Sequence, residues 1–228
     1  MIISNSRKFI YVHIPKCGGT SVSSFLEERL LPQDMTLNLS PSDGWGAYLN
    51  AVEKKYGLNK HSTAQEIAKA VQPDNFKDYF VFTFCRNPFA RAYSIFTFTK
   101  RADARLRPDS ARYKRIKDMS FEDFLKTEYV QEHQLFAARL QSDWVRDAPV
   151  PVRRFKLEKI DTALGRLAER FYGTKANSVS APRKNFSAGK DDWRRMSPEA
   201  EKIILSVYKE DFDRFEYPHR VPRLSNAE

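Results

Sequence analysis

The stretch Phe9-Ile-Tyr-Val-His-Ile-Pro-Lys-Cys-Gly-Gly-Thr-Ser21 decides how the chain is read. A β-rich apolar run gives way to a lysine, two glycines and two hydroxyls, and a helical pattern follows. That order builds a phosphate cradle. Gly18 and Gly19 have no Cβ to hold an anion away from the backbone, and they allow a tight, positive-φ turn that points successive N–H groups into one concavity. Thr20 and Ser21 sit where the helix begins, so their hydroxyls and the N–H groups of the first turn face the same anion along the positive end of the helix dipole. Lys16 adds a mobile charge at the mouth. The lysine precedes the glycines, unlike the nucleotide-triphosphate loop G-x-x-x-x-G-K-[ST], and a shorter loop of this kind suits a smaller anion than a β/γ-phosphate pair. A plain glycine turn beside a surface lysine reads the same when taken alone, so the decision needs a second motif.

That motif is Tyr79-Phe-Val-Phe-Thr-Phe-Cys-Arg-Asn-Pro-Phe-Ala-Arg-Ala-Tyr-Ser94. Tyr79 to Cys85 is dense in aromatic and β-branched residues and reads as a buried strand. Asn87 is a natural N-cap and Pro88 a natural first helical residue, so a helix starts just beyond Arg86. Arg86 then lies at the carboxyl end of a strand, the edge at which open α/β sheets bind ligands. Ser94 follows about two turns into that helix. An arginine fork with a hydroxyl suits a phosphate monoester.

Together the two segments resemble the sulfotransferases that use 3′-phosphoadenosine 5′-phosphosulfate, in the carbohydrate branch that includes heparan sulfate 2-O-sulfotransferase and many bacterial relatives. The resemblance rests on His13-Ile-Pro-Lys-Cys-Gly-Gly-Thr-Ser21 and Arg86-Asn-Pro-Phe-Ala-Arg-Ala-Tyr-Ser94, and continues more weakly through Gln141-Ser-Asp-Trp144, Arg154-Phe155 and Phe212-Asp-Arg-Phe215. It implies that Lys16, Cys17, Gly18, Gly19, Thr20 and Ser21 line the site of the 5′-phosphosulfate, and that Arg86 and Ser94 line the site of the 3′-phosphate. Cys17 stands where many relatives carry threonine. A late loop closes over the adenosine in that family. Ala181-Pro-Arg-Lys-Asn-Phe-Ser187 matches it best, with Arg183 and Lys184 reaching for the 3′-phosphate and Phe186 covering the purine; an ordinary basic surface loop is the alternative.

Sulfuryl transfer needs in-line approach and charge stabilisation rather than a covalent enzyme nucleophile. Lys16 is the expected catalytic cation, neutralising charge on the bridging oxygen as adenosine 3′,5′-bisphosphate departs. An acceptor hydroxyl also needs a base. His61 precedes a short helix capped through Ser62 with Gln65 or Thr63 with Glu66, and the branch carries a catalytic histidine in a comparable interval. Glu66 is the fallback base, and mid-strand His13 reads as a packing residue. Four scattered histidines without paired spacing give no metal site.

The 228 residues suit one well-cored domain, 1–228, and 41% hydrophobic with 30% charged residues fits a globular protein with a polar surface. Alternating strands and helices predict a single α/β domain with a P-loop-like, mostly parallel central sheet flanked by helices. The expected strands are Lys8 to Ile14, Tyr79 to Cys85 and Val150 to Leu157; the expected helices include 21–31, one capped at Ser120 that continues helical over 131–140 with Leu135, Phe136 and Leu140 on one side, 160–172 and 197–208. Residues 32–48 read as an ordered loop over the site. No segment has the apolar length of a membrane span or of a signal core, and membrane-anchored relatives differ in this, so a bacterial-type cytoplasmic enzyme is expected. Cys17 and Cys85 are read as reduced thiols.

Thirty-nine Lys and Arg against 29 acids give a net charge of +10, which favours anionic partners. The densest run, Lys100 to Lys117, is either a solvated face or a basic rim that draws in the nucleotide or an acidic glycan. No nucleic-acid motif accompanies it. The sequence thus predicts a sulfotransferase acting on a saccharide or glycoconjugate hydroxyl, with a P-loop kinase or a non-catalytic polyanion-binding module as alternatives. It carries no code for the acceptor.

Overall fold

The computed structural model describes residues 1–39, 44–71, 76–182 and 192–223. They fall into two compact units, one from the described residues of 1–86 and 141–186, the other from those of 87–140 and 187–228. Strands β1 (Ile2–Ser4), β2 (Phe9–Val12), β3 (Met35–Thr36), β4 (Phe80–Cys85) and β5 (Arg153–Lys156) form one sheet in the order β3-β1-β2-β4-β5. The α-helices among the described residues are α1 (Gly19–Glu27), α2 (Gly46–Tyr56), α3 (Ala64–Val71), α4 (Pro88–Leu106), α5 (Ala111–Ile116), α6 (Phe121–Leu125), α7 (Glu128–Gln131), α8 (Ile160–Tyr172), α9 (Pro198–Val207) and α10 (Lys209–Arg214).

The first unit holds the sheet. β2 pairs in parallel with β4 and β4 with β5, whereas β1 is antiparallel to both β2 and β3. Four strands therefore run one way and β1 alone opposes them, which is the mostly parallel α/β sheet the sequence predicts. Phe9 and Tyr11 of β2 and Phe82 and Phe84 of β4 pack with Val22, Phe25 and Leu26 of α1 and with Leu164 and Leu167 of α8. Ile10, Val12 and Val81, which alternate with them, are also buried. Near-continuous apolar strands of this kind belong to a sheet covered on both faces. The parallel strands β2, β4 and β5 bring their carboxyl ends to one edge, and each continues there into a site segment.

The second unit is helical. Phe89 of α4 packs on Phe212 of α10 with ring centroids 4.8 Å apart. Arg91, fully buried, donates to the carbonyls of Ala137 (2.8 Å) and Arg139 (2.9 Å), with Asp211 4.0 Å away. Ser120 and Ser197 cap α6 and α9, as the sequence predicts. Within the basic run, Arg112 forks onto Asp103 at 2.5 and 2.6 Å, and Arg115 pairs with Glu128. Part of that charge thus serves the fold.

Several expectations change. Strands β1 and β3 and helix α2 are additions; β3 and the start of α2 fall inside the segment read as a loop. Residues 131–140 do not form one helix. α7 ends at Gln131, His133 takes a left-handed φ of 52°, and only a 3-10 turn, Phe136–Ala138, follows. Both cysteines are free thiols. No helix among the described residues is long and apolar enough to cross a membrane.

Candidate active site at the strand ends of the first unit

Beyond β2 the chain turns through Lys16 and Gly18, both left-handed, at φ 65° and 76°. Gly18 is the N-cap of α1, where no side chain accepts from the first turn and no acid lies within it. Ser21 and Val22 N–H donate back to the Gly18 carbonyl at 3.1 and 3.2 Å, and Cys17 N–H to Ile14 at 3.4 Å. The N–H groups of Gly18, Gly19 and Thr20 have no hydrogen-bond partner among the described residues. A helix start left open in this way is an anion site in waiting.

The glycines, however, are required by neighbours as well as by any ligand. A Cβ at Gly19 would lie 1.6 Å from Nε2 of His13, and one at Gly18 would lie 2.3 Å from Cδ1 of Leu157, just beyond β5. The missing Cβ of Gly19 is filled by an imidazole. His13 is 4% exposed, stacks on Tyr11 at 5.8 Å, and lies 4.6 Å from the ring of His61. Its Nδ1 is buried without a partner among the described residues. Burial, then the positive charges of the N-terminus, His61, Lys60 and Lys16, hold its pKa well below the usual histidine value.

His61 is held at three points. Its N–H donates to Oδ1 of Asn59 (2.8 Å), its carbonyl accepts from Nε1 of Trp144 (2.8 Å), and its ring Nδ1 meets the His13 carbonyl at 2.9 Å. A carbonyl only accepts, so Nδ1 carries the proton and Nε2 keeps the lone pair. Burial lowers the pKa of His61 to about 4, with the His13 carbonyl opposing and the N-terminal and Lys60 charges adding to the fall. His61 is thus a neutral imidazole above that pH. Of the two capping boxes, Thr63 with Glu66 forms: Glu66 Oε2 accepts from Thr63 N–H at 2.7 Å, and Thr63 Oγ1 from Glu66 N–H at 3.2 Å. Ser62 instead accepts from Asn59 N–H at 2.9 Å. The Glu66 carboxylate is therefore engaged in the cap.

Arg86 follows β4, and its Nη1 donates to the Lys16 carbonyl at 3.4 Å. Gln141, fully buried, pairs with the Arg86 peptide on both sides: Oε1 accepts from Arg86 N–H at 2.8 Å and Nε2 donates to the Arg86 carbonyl at 2.9 Å. The same Oε1 accepts from the Cys17 thiol at 3.0 Å. The first unit therefore brings together Lys16, Cys17, Gly18, Gly19, Thr20, Ser21, His61 and Arg86. Ser94 belongs to the second unit, half-buried in α4. Arg183, Lys184 and Phe186 lie outside the described residues. Gln141 and Trp144 were not among the expected site residues; their only sequence signal is the weak similarity of Gln141-Ser-Asp-Trp144. Among the described residues no three His, Cys, Asp or Glu converge as metal ligands.

The model of the Sulfotransferase family matches residues 1–218, and the chain belongs to that family. It is a transferase of sulfuryl groups. No curated protein and no solved structure gives a significant match.

Proposed function

We propose that residues 1–228 act as one cytoplasmic sulfotransferase domain that moves a sulfuryl group from 3′-phosphoadenosine 5′-phosphosulfate to a hydroxyl of a saccharide or glycoconjugate. The observation that carries this reading is the pairing of an uncapped helix start, with the N–H groups of Gly18, Gly19 and Thr20 unpartnered among the described residues, and an arginine whose guanidinium lies on the carbonyl of Lys16 in the same loop. Backbone amides suit the 5′ group and a guanidinium suits the 3′-phosphate, so the residues present fit a nucleotide with two anionic ends.

In this reading Cys17 to Ser21 cradle the 5′ group, through the backbone N–H of Gly18, Gly19 and Thr20 and the hydroxyls of Thr20 and Ser21. Arg86 and Ser94 take the 3′-phosphate, and Arg183 and Lys184 add charge from the late loop. The bound donor supplies sulfur attached to a phosphate leaving group. Nε2 of His61 removes the acceptor proton as the acceptor oxygen bonds to sulfur. The Lys16 ammonium holds the charge that develops on the bridging oxygen as the sulfur–oxygen bond breaks. The products are a sulfate ester and adenosine 3′,5′-bisphosphate, with the proton on His61. A positioned base contributes about 10²–10⁴-fold, and loop amides need no reorganisation as charge develops.

Thermal unfolding with adenosine 3′,5′-bisphosphate, AMP, or ATP with magnesium tests the reading. A ligand at about 100 times its Kd adds about 2.7 kcal/mol to stability. The bisphosphate should raise Tm most. A larger shift with ATP and magnesium, or none with the bisphosphate, would overturn the assignment.

A further inference from the structure

The short 3-10 turn Gln141–Trp144 touches every segment of the site in the first unit, although it supplies no group to the chemistry proposed above. From Gln141, buried completely, one side-chain amide reaches the Cys17 thiol in the phosphate loop and both peptide groups of Arg86 at the end of β4. From Trp144, 2% exposed and three residues on, the indole N–H reaches the carbonyl of His61. These partners come from three separate stretches of chain. A buried amide whose acceptor is shared by two donors couples the segments that carry them, because leaving any of these groups unpaired costs its full desolvation.

We propose that Gln141–Trp144 is a positioning clamp, in which Gln141 registers the phosphate loop against Arg86 and Trp144 registers His61 against both. The two residues act through different groups and so have separable consequences. Gln141 governs how well the 3′-phosphate is held; Trp144 governs the seat of the imidazole. The inference rests on the proposed nucleotide site for its first half only, because the seat of His61 can be read without any ligand.

The test uses Gln141→Met, which keeps volume and removes the hydrogen bonds to Cys17 and Arg86, and Trp144→Phe, which keeps an aromatic ring and removes the N–H. Gln141→Met should weaken adenosine 3′,5′-bisphosphate in calorimetry by about tenfold, and on an Arg86→Ala background should weaken it no further than about twofold, since groups acting as one unit are non-additive. Trp144→Phe should leave that affinity within about twofold and raise the His61 titration midpoint, read by NMR of the ring, by about one unit as the ring gains water. Gln141→Met should leave that midpoint in place. A general loosening of the fold would move both readouts in both variants, and full additivity with Arg86→Ala would likewise overturn the clamp. Gln141→Asn, which keeps a polar amide but is too short to span its partners, replaces Gln141→Met if that variant does not fold. Wild-type protein that binds the bisphosphate no better than AMP sinks the nucleotide reading instead, and the His61 titration of Trp144→Phe then still decides the clamp.

Discussion

Two of the strand-to-helix turns at the carboxyl edge of the sheet, those after β2 and β4, solve the same problem in opposite ways. After β4, Asn87 caps α4 by accepting from Phe89 N–H at 3.0 Å, and Pro88 at the first helical position has no N–H to satisfy. After β2, α1 begins at a left-handed glycine with no side-chain cap, and three N–H groups stay unpartnered among the described residues. A satisfied helix start is stable on its own. An unsatisfied one is kept open by its surroundings and gains when an anion arrives. The difference teaches that the first turn leaves backbone N–H groups open, whereas the second closes its Phe89 N–H with a side chain and stands beside the guanidinium of Arg86.

The greatest effect should follow from closing the space that keeps the first turn in shape. In Gly19→Ala the new methyl meets the rigid imidazole of His13, itself wedged between Tyr11 and His61. Overpacking against an immobile ring should cost about 3 kcal/mol. Gly18→Ala meets the flexible end of Leu157 and a positive φ, and should cost about 1–2 kcal/mol. Urea unfolding measures both. The double variant Gly19→Ala with His13→Ala should recover part of the loss, and the same cost with and without His13 would break the link between that ring and the turn.

Acid should loosen the first turn before the second. His13 and His61 are neutral in the fold and titrate near 6.5 once unfolded. Their folded pKa values are depressed, so the stability they contribute is fully present above pH 6.5 and is lost as pH falls toward about 4 for His61. Each group that protonates only on unfolding adds a slope of about 1.4 kcal/mol per pH unit. Denaturant titrations between pH 7 and 4.5 should show this slope, and His61→Gln should flatten it by one group's worth. Equal slopes in the two proteins would mean that His61 is solvated in the fold.

What was legible follows the same divide. Asn87-Pro88, Ser120 and Ser197 act on neighbours a few residues away, so their caps could be read directly, as could the apolar stripe of α8. The glycine loop after β2 was legible as a turn, but the reason for Gly19 was not, because the ring that fills its space reaches it through tertiary packing. Gln141 was invisible as a site residue: its partners stand 124 and 55 residues away in sequence. Strands β1 and β3 have three and two residues and exist through their pairing. Helix α2 buries only Val52, so it shows no apolar stripe to find. Residues 131–140 misled in the other direction, since Leu135, Phe136 and Leu140 mimic a helical face that the left-handed His133 interrupts.

Next in size is the side-chain grip. Arg86→Ala should weaken adenosine 3′,5′-bisphosphate by roughly 1.5–3 kcal/mol, the range of a charge-assisted contact. AMP and adenosine 5′-phosphosulfate, which lack the 3′-phosphate, should lose much less. Calorimetry on the three nucleotides compares them. Equal losses would show that Arg86 serves the 5′ loop, where its Nη1 already meets the Lys16 carbonyl, rather than a phosphate of its own.

The smallest effect should come from undoing the cap that makes the second turn self-sufficient. Asn87→Ala removes the acceptor of Phe89 N–H and should cost about 1 kcal/mol of stability. Because Pro88 still fixes the first helical φ and the Arg86 peptide is held separately by Gln141, the position of Arg86 should survive. The preference for adenosine 3′,5′-bisphosphate over AMP should therefore stay within about twofold of wild type while Tm falls by about 2–4 °C. Opening this helix start also exposes N–H groups like those of α1. If Asn87→Ala instead gained affinity for inorganic phosphate, measured by the rise in its Tm with added phosphate, the open N-terminus alone would suffice to bind an anion. No gain would mean that the left-handed backbone at Lys16 and Gly18, which the second turn lacks, is what shapes the first into a cradle.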